Sequence, residues 1–306
     1  MLMPLARGIS VLMPDAPKFY PYCICIYIAG EQRAIIDFGA GQRAFNEIDK
    51  DSIELGFFTH NHPDHTHSAL LFKNISLYAA KEEQLSYRNE KEYFKLRGFE
   101  YWKRFMPPGK PLPETPDTTL QNPDIPVEPG FIKIDLAGTI TDGQQIELGR
   151  GIRLTAVYLP GHSIGHYGFY FEKEGILFGG DIDTTRGGPW YGDGCSNVGQ
   201  FINSVQRIKE INPGTFASSH RRPLTEKIIP SLDSYLQILL DRENRVYDLL
   251  KRPHTIAQLA AYHLAFDYNL FYMEDFWEMM YAHHHVQHLM EIGAVTEVET
   301  GVFQQA

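Results

Sequence analysis

A short apolar run, Ile53-Glu-Leu-Gly-Phe-Phe58, leads without a break into Thr59-His-Asn-His-Pro-Asp-His65. Such a run reads as a strand, so the histidines fall at its end. A chain built around this segment must bury the strand and leave its end as an open loop. His60 and His62 stand at i and i+2, and in an extended loop both can face one cation. Proline is favoured at the first position of a helix. A helix beginning at Pro63 turns Asp64 and His65 in another direction, which favours a second cation over one crowded site. Imidazole with carboxylate suits zinc, iron or manganese. Four such side chains in six residues are rare by chance, and their spacing points to a metal centre.

Three more residues stand in comparable settings, each just after a hydrophobic run. His162 lies in Leu159-Pro-Gly-His-Ser-Ile-Gly-His166, where Pro160 and Gly161 make a tight turn and Gly165 allows close backbone approach. Asp181 ends Leu177-Phe-Gly-Gly-Asp181, where glycines clear space and one carboxylate could bridge two ions. His220 ends Ala217-Ser-Ser-His220. Singly each is weak. A lone loop histidine is more often a surface or packing residue, and Asp181 could cap a helix or a turn. Their weight comes from the order cluster, His, Asp, His.

Tyr22–Ile28 and Arg33–Phe38 read as a β-hairpin, and Ile75–Ala79 as another strand. Residues 81–106 look helical, with aromatic residues among basic ones. Residues 107–130 hold eight of the nineteen prolines, the mark of a long irregular loop. Strands resume at Phe131–Asp135, Gln145–Leu148, Arg153–Tyr158, Tyr167–Phe171 and Gly175–Phe178. An amphipathic helix, Val198–Ile211, precedes the strand Thr215–Ala217. This order predicts an α+β fold, an αββα sandwich of two face-to-face sheets with helices outside. A long helix at Leu232–Leu250, helical patterns at Thr255–Ala261 and His283–Ile292, and a β-wing alternation at Gly293–Gly301 follow. The expected division is a catalytic domain at 1–225, with 81–130 inserted as a helical and Pro-rich lid. The long helix and a small winged-helix-like domain take 226–306.

The chain has 306 residues and 43% hydrophobic content, enough for one large domain and a small one. No apolar run approaches the ~20 residues of a membrane span. The opening Met-Leu-Met-Pro-Leu-Ala-Arg-Gly lacks the order of a signal peptide. Cys23, Cys25 and Cys195 cannot form a disulfide framework, and a reducing cytoplasm fits them. The net charge of −10 opposes a nucleic-acid partner. That charge is uneven: residues 81–110 carry eight Lys or Arg against five Glu, and residues 226–306 five basic against twelve acidic side chains.

With these residues in view, the chain resembles a metallo-β-lactamase-fold hydrolase over residues 20–222. That superfamily binds two metals with a His-x-His-x-Asp-His motif, a later Gly-His, a Gly-Asp and a terminal His. The resemblance implies that His60, His62 and His162 hold one ion, that Asp64, His65 and His220 hold the second, and that Asp181 bridges them. Zinc is the default metal, with iron and manganese open. Pro189-Trp-Tyr-Gly192 with Ser196, Asp241-Arg-Glu-Asn-Arg245 and His284-His-Val-Gln-His-Leu-Met-Glu-Ile-Gly-Ala294 are similar to a subgroup with an appended winged-helix-like domain. Some members of that subgroup are endoribonucleases acting on single-stranded RNA. The chain departs from the pattern in three places. Thr66-His67-Ser68 puts an extra imidazole beside the site, Arg221-Arg222 rather than glycine follows His220, and the 81–130 insertion is long. These bear on substrate, not on the metal site.

Two cations close together lower the pKa of a shared water toward about 7. The expected function is therefore a dinuclear metal-dependent hydrolase of a small ester, thioester or lactone, with Asp64 orienting the water or accepting its proton. The alternative is an endoribonuclease acting on single-stranded RNA. The basic, aromatic stretch 81–110 suits an anionic, partly flat ligand such as an acyl-CoA, or RNA. In its plainer reading it is an amphipathic helix pair with a solvated basic face. DNA is disfavoured, since Lys251–Ala306 has two basic and seven acidic side chains. That segment more readily packs over the active site or makes a homodimer. A mono-iron dioxygenase is disfavoured by the complete second ligand set. His67 and His166 read either as outer groups of the site or as buried hydrogen-bonded histidines. His283–His285 reads as helix surface, packing or pocket wall.

Overall fold

The computed structural model describes residues 1–15, 20–110, 124–125, 131–266 and 273–306. The first sheet takes its strands in chain order: β1 (Leu2–Ala6), β2 (Ile9–Leu12), β3 (Cys25–Ala29), β4 (Arg33–Ile36), β5 (Leu55–Phe57), β6 (Ser76–Ala80) and β7 (Gly138–Ile140). Its first four strands pair antiparallel and β4 to β7 pair parallel. The second sheet runs β12 (Thr215–Ala217), β11 (Ile176–Phe178), β10 (Tyr167–Phe171), β9 (Arg153–Tyr158) and β8 (Gln145–Glu147).

Side-chain alternation along the strands creates the layers. Ile26, Ile28, Ile36 and Phe57 point to one face and meet Ala156, Phe169 and Phe178 of the second sheet in a fully apolar core. The Phe57 and Phe169 rings are 5.7 Å apart across it. Cys25, Ile35 and Phe58 point the other way, onto Ala44 and Phe45 of α1 (Gly41–Phe45) and onto Phe72. The outer face of the second sheet, with Val157, Leu177 and Phe216, is covered by α5 (Val198–Ile211) and α6 (Ile228–Leu249). In α5 the buried residues Val198, Phe201, Val205 and Ile208 follow the helical spacing, and Asn197 caps its start by accepting the Gln200 N–H at 2.8 Å. Burying each large apolar side chain contributes about 1.5–3 kcal/mol. The result is the expected αββα sandwich.

α2 (Pro63–Thr66) starts at Pro63 with His62 as its N-cap, as the proline predicts. Beyond it come α3 (Glu90–Leu96) and α4 (Phe99–Phe105). After α6 lie α7 (Ile256–Ala260), α8 (Glu274–Glu291) and a three-stranded sheet, ordered β13 (His254–Thr255), β15 (Val302–Gln305), β14 (Val295–Glu299). Val246, Leu250, Leu259, Val286, Leu289 and Phe303 form a core among these elements.

Some sequence expectations shift. β1 and β2 were not foreseen, and residues 131–135 form no strand. α8 begins at Glu274 rather than His283, because its mixed aromatic and polar residues are buried on several sides and mask the helical period. Most of the expected Pro-rich lid at 107–130 lies outside the described residues. The aromatic residues of 81–106 pack inward: Trp102 and Met106 meet Phe276 and Met280 of α8, while Lys91, Lys95, Lys103 and Arg104 face solvent. This is the plainer of the two readings of that stretch. No described helix is long and apolar enough to cross a membrane.

Candidate metal centre

β10 is antiparallel to both β9 and β11, and β12 is parallel to β11. The C-terminal ends of β9, β11 and β12 therefore share one edge, and their following loops deliver His162, Asp181 and His220. The end of β5 delivers His60 and His62. Two glycines make these loops passable. At Gly161 (φ 124°) a Cβ would collide with the backbone of Phe201. At Gly180 (φ 56°) it would meet the His166 ring.

The seven residues singled out from the sequence converge. His60, His62, His162 and Asp181 form one cluster, and Asp64, His65 and His220 form another. His162 Nε2 lies 3.1 Å from both His60 Nε2 and His62 Nδ1. The other ring nitrogens fix the tautomers. His162 Nδ1 donates to the Trp190 carbonyl at 2.9 Å, which can only accept. His62 Nε2 donates to Asp193 Oδ2 at 2.6 Å. Thr59 Oγ1 gives its proton to Asp37 Oδ2, so His60 Nδ1 donates to Thr59 Oγ1, 2.9 Å away. Three bare nitrogens then face one point. A tetrahedral zinc site with ~2.05 Å bonds spaces its nitrogens by about 3.3 Å, so the observed spacing fits a shared cation.

In the second cluster, His65 Nδ1 donates to Asp37 Oδ2 at 2.9 Å, which leaves Nε2 facing inward. His220 Nε2 lies 3.4 Å from Asp64 Oδ2, and His65 Nε2 lies 3.6 Å from it. Asp181 joins the two clusters. Its Oδ2 faces His162 Nε2 at 3.4 Å and His60 Nε2 at 3.8 Å, while its Oδ1 faces His65 Nε2 at 3.0 Å and His220 Nε2 at 3.4 Å. His65 Nε2 and Asp181 Oδ1 are buried 3.0 Å apart and, among the described residues, meet no partner that geometry makes a good hydrogen bond. Buried polar atoms left in this way are costly, and a pair of divalent cations between the clusters would satisfy them.

The electrostatics differ between the sides. Burial, then the neighbouring His62, pushes His162 down to about 4. Burial also holds His60 and His62 below the usual range. These three are neutral lone-pair donors at pH 7. On the other side burial works against charge, but the carboxylates of Asp181 and Asp64 outweigh it and raise His220 to about 9. Asp181, Asp37 and Asp64 likewise raise His65 well above its usual value against burial. Burial would raise Asp181, but His65 and His220 bring it well below the carboxylate range.

His166 and His67 are committed elsewhere. His166 Nδ1 donates to the Leu159 carbonyl and its Nε2 accepts the Asp181 backbone N–H, both at 2.9 Å. His67 bonds the Pro21 carbonyl at 2.9 Å and Ser68 Oγ at 2.8 Å. His284 Nε2 donates to the Asp193 carbonyl, and His285 bonds the Tyr191 hydroxyl. The ring of His283 packs beside Tyr101 and Phe105.

Four supporting residues escaped the sequence reading. Asp37 accepts the Thr59 N–H at 2.8 Å as well as His65; its signal was a lone acid ending a buried apolar strand. Asp193 follows the Pro189–Gly192 motif. Glu83 and Arg97 were read only as part of a charged stretch. Glu83 Oε1 accepts from Ser163 Oγ and, at 3.1 Å, from the Gly165 N–H, bracing the His162 loop. Nothing in the sequence pattern distinguishes either from its charged neighbours.

The family model of the metallo-beta-lactamase superfamily matches residues 21–239. The chain is similar to a Caenorhabditis elegans beta-lactamase-like protein 2 homolog, 25% identical over 120 residues, 39% of this chain and 39% of that protein. It is 31% identical over 114 residues to the lactamase-like protein nscB of Arthroderma gypseum, covering 37% of this chain and 34% of that protein. The matches thus span less than half of these curated relatives. Among solved structures, a metallo-beta-lactamase family protein from Thermus thermophilus superposes with TM-score 0.72 at 21% identity, covering 99% of this chain and 100% of that one. A beta-lactamase domain protein from Burkholderia ambifaria gives 0.66 at 17% identity, covering 100% and 93%.

Proposed function

The chain belongs to the metallo-beta-lactamase superfamily, and on that premise we propose that it is a dinuclear metal-dependent hydrolase of small ester, thioester or lactone substrates. The observation that carries this reading is Asp181, each of whose carboxylate oxygens faces one cluster of imidazole nitrogens. His60, His62 and His162 would hold one divalent ion and Asp64, His65 and His220 the other, with Asp181 available to both. Zinc suits this nitrogen and oxygen set best. Bound there, two such ions supply Lewis-acid polarisation of a scissile carbonyl and lower the pKa of water.

The chain's own side chains do the rest. His60, His65 and His162 are sealed from solvent, His62, Asp64 and Asp181 reach it narrowly, and His220 is the most open of the seven, so we place substrate entry beside His220. Asp64 stands there to orient the attacking water and accept its proton. Asp37, Thr59, Trp190 and Asp193 hold the imidazoles in the tautomers that face inward.

Single-stranded RNA is the second reading. Its support is the subgroup resemblance and the basic, aromatic stretch 81–110, of which Tyr101, Trp102 and Phe105 are taken up by packing against α8 and Tyr87 by the core beneath the first sheet. This favours a small substrate with an anionic group. Free thiols at Cys23, Cys25 and Cys195 accord with a cytoplasmic setting. We take 1–225 as the catalytic part and 226–306 as a winged-helix-like appendage.

The test is a panel of acyl-CoA esters and lactones beside a labelled single-stranded RNA, with and without chelator, with His62→Ala as control. Chelator-sensitive acyl or lactone cleavage with intact RNA is the expected result. Chelator-sensitive RNA cleavage with intact esters would overturn it.

A further inference from the structure

His62 is reached from behind by three parts of the chain that supply no ligand. Its Nε2 meets Asp193 Oδ2 at 2.6 Å. The same carboxylate oxygen takes an N–H of Arg97, which follows α3. Arg97 also donates to the Asn61 carbonyl at 2.9 Å and to Asn61 Oδ1 at 2.7 Å, between the two histidines of the motif. The Asp193 carbonyl accepts His284 Nε2 of α8 at 2.7 Å. Asp193, His62 and His284 are buried, and Arg97 nearly so. Three residues earlier, the Trp190 carbonyl fixes His162. One loop, 190–193, therefore sets the tautomers of two facing imidazoles.

We propose that Asp193, clamped by Arg97, is a positioning residue that holds His62 with its Nδ1 bare and aimed at the metal, which makes α3 and α8 structural parts of the metal site. The inference rests on the metal-centre reading above. A carboxylate behind a ligating histidine fixes the ring and raises its basicity, and its loss typically weakens metal binding about 10- to 100-fold. Arg97 supplies the charge that keeps Asp193 in place, and its second pair of bonds locks the backbone carrying His60 and His62. A merely structural role for the pair would lower the stability of the metal-free fold and leave the affinity of folded protein unchanged.

The experiment is zinc titration of folded protein against a competing chromophoric chelator, for wild type, Asp193→Asn and Arg97→Gln. The expected result is about a 10- to 100-fold loss at one zinc equivalent in D193N, with the other retained, and a smaller loss at the same equivalent in R97Q. Wild-type affinity at both equivalents in folded D193N, or equal loss at both, would overturn the proposal. Unchanged binding in R97Q would overturn the part assigned to Arg97. Wild-type protein that binds no zinc would overturn the metal-centre reading, and this inference with it. Should D193N fail to fold, long-range 1H–15N spectra of zinc-loaded wild type decide: His62 carrying its proton on Nε2 supports the proposal, and a proton on Nδ1 overturns it.

Discussion

The Nε2 of His166 accepts the backbone N–H of Asp181 at 2.9 Å. Burial, with His162 next to it, keeps the His166 ring neutral, pushed down to about 3, so that nitrogen stays an acceptor. The Tyr235 hydroxyl holds the other side of Asp181 by donating to its carbonyl at 3.1 Å. The joining carboxylate of the site is thus fixed through its main chain, which leaves both side-chain oxygens for the two clusters.

His166→Leu keeps the volume but leaves the Asp181 N–H buried and unpaired. Such a group costs about 1–3 kcal/mol. Urea unfolding of the metal-free variant should show a loss of that size, together with weaker zinc retention. Wild-type stability and zinc content would refute the role given to His166.

Asp181→Asn removes the charge between the two clusters. Metal content after gel filtration should fall from two ions per chain to one at most, and chelator-sensitive hydrolysis should fall with it. Two ions retained in D181N would show that Asp181 does not join the sites.

Zinc loading should release protons, and from one side of the site. His220, raised to about 9, and His65 carry protons at pH 7.5 in metal-free protein and must lose them to bind. His60, His62 and His162 are already neutral. The sign for stability follows. A histidine raised above its ordinary 6.5 stabilises fully below that pH, and the contribution is lost as pH rises through about 9. Metal-free protein should therefore weaken between pH 6.5 and 9 while zinc affinity on that side rises. Calorimetry in buffers of different ionisation enthalpy measures the release, and none at pH 7.5 would refute it.

Glu83 should oppose stability at neutral pH. Burial raises its carboxyl from 4.5 to about 7. The unfolded chain gives up this proton earlier than the folded one, so stability falls as pH rises from 4.5 to about 7 and then levels. Glu83→Gln keeps an acceptor for Ser163 and Gly165. The variant should match wild type near pH 4 and exceed it at pH 8 by a few kcal/mol, order of magnitude, from 1.36 kcal/mol per pKa unit. A constant difference across pH would refute the assignment.

All seven candidate ligands could be named from the sequence because each follows a strand, and strands are legible through alternation and apolar runs. Pro63 marked the helix that separates His62 from Asp64 and His65, and the glycines beside His162 and Asp181 marked loops needing close approach. These are local signals, carried by residues within a few positions of one another. The supporting shell is of another kind. Asp37 lies 28 residues from His65, and Asp193 lies 131 from His62. Arg97 looks like any other cation of a charged stretch until folding buries it against Asp193. Which imidazole nitrogen faces inward, which arginine is buried and where the rings of α4 pack depend on contacts between distant segments. Local propensity sets the elements and the ligand types. Only tertiary packing decides how those ligands are aimed: Asp37 and Thr59 behind His65 and His60, and the 190–193 loop behind His62 and His162.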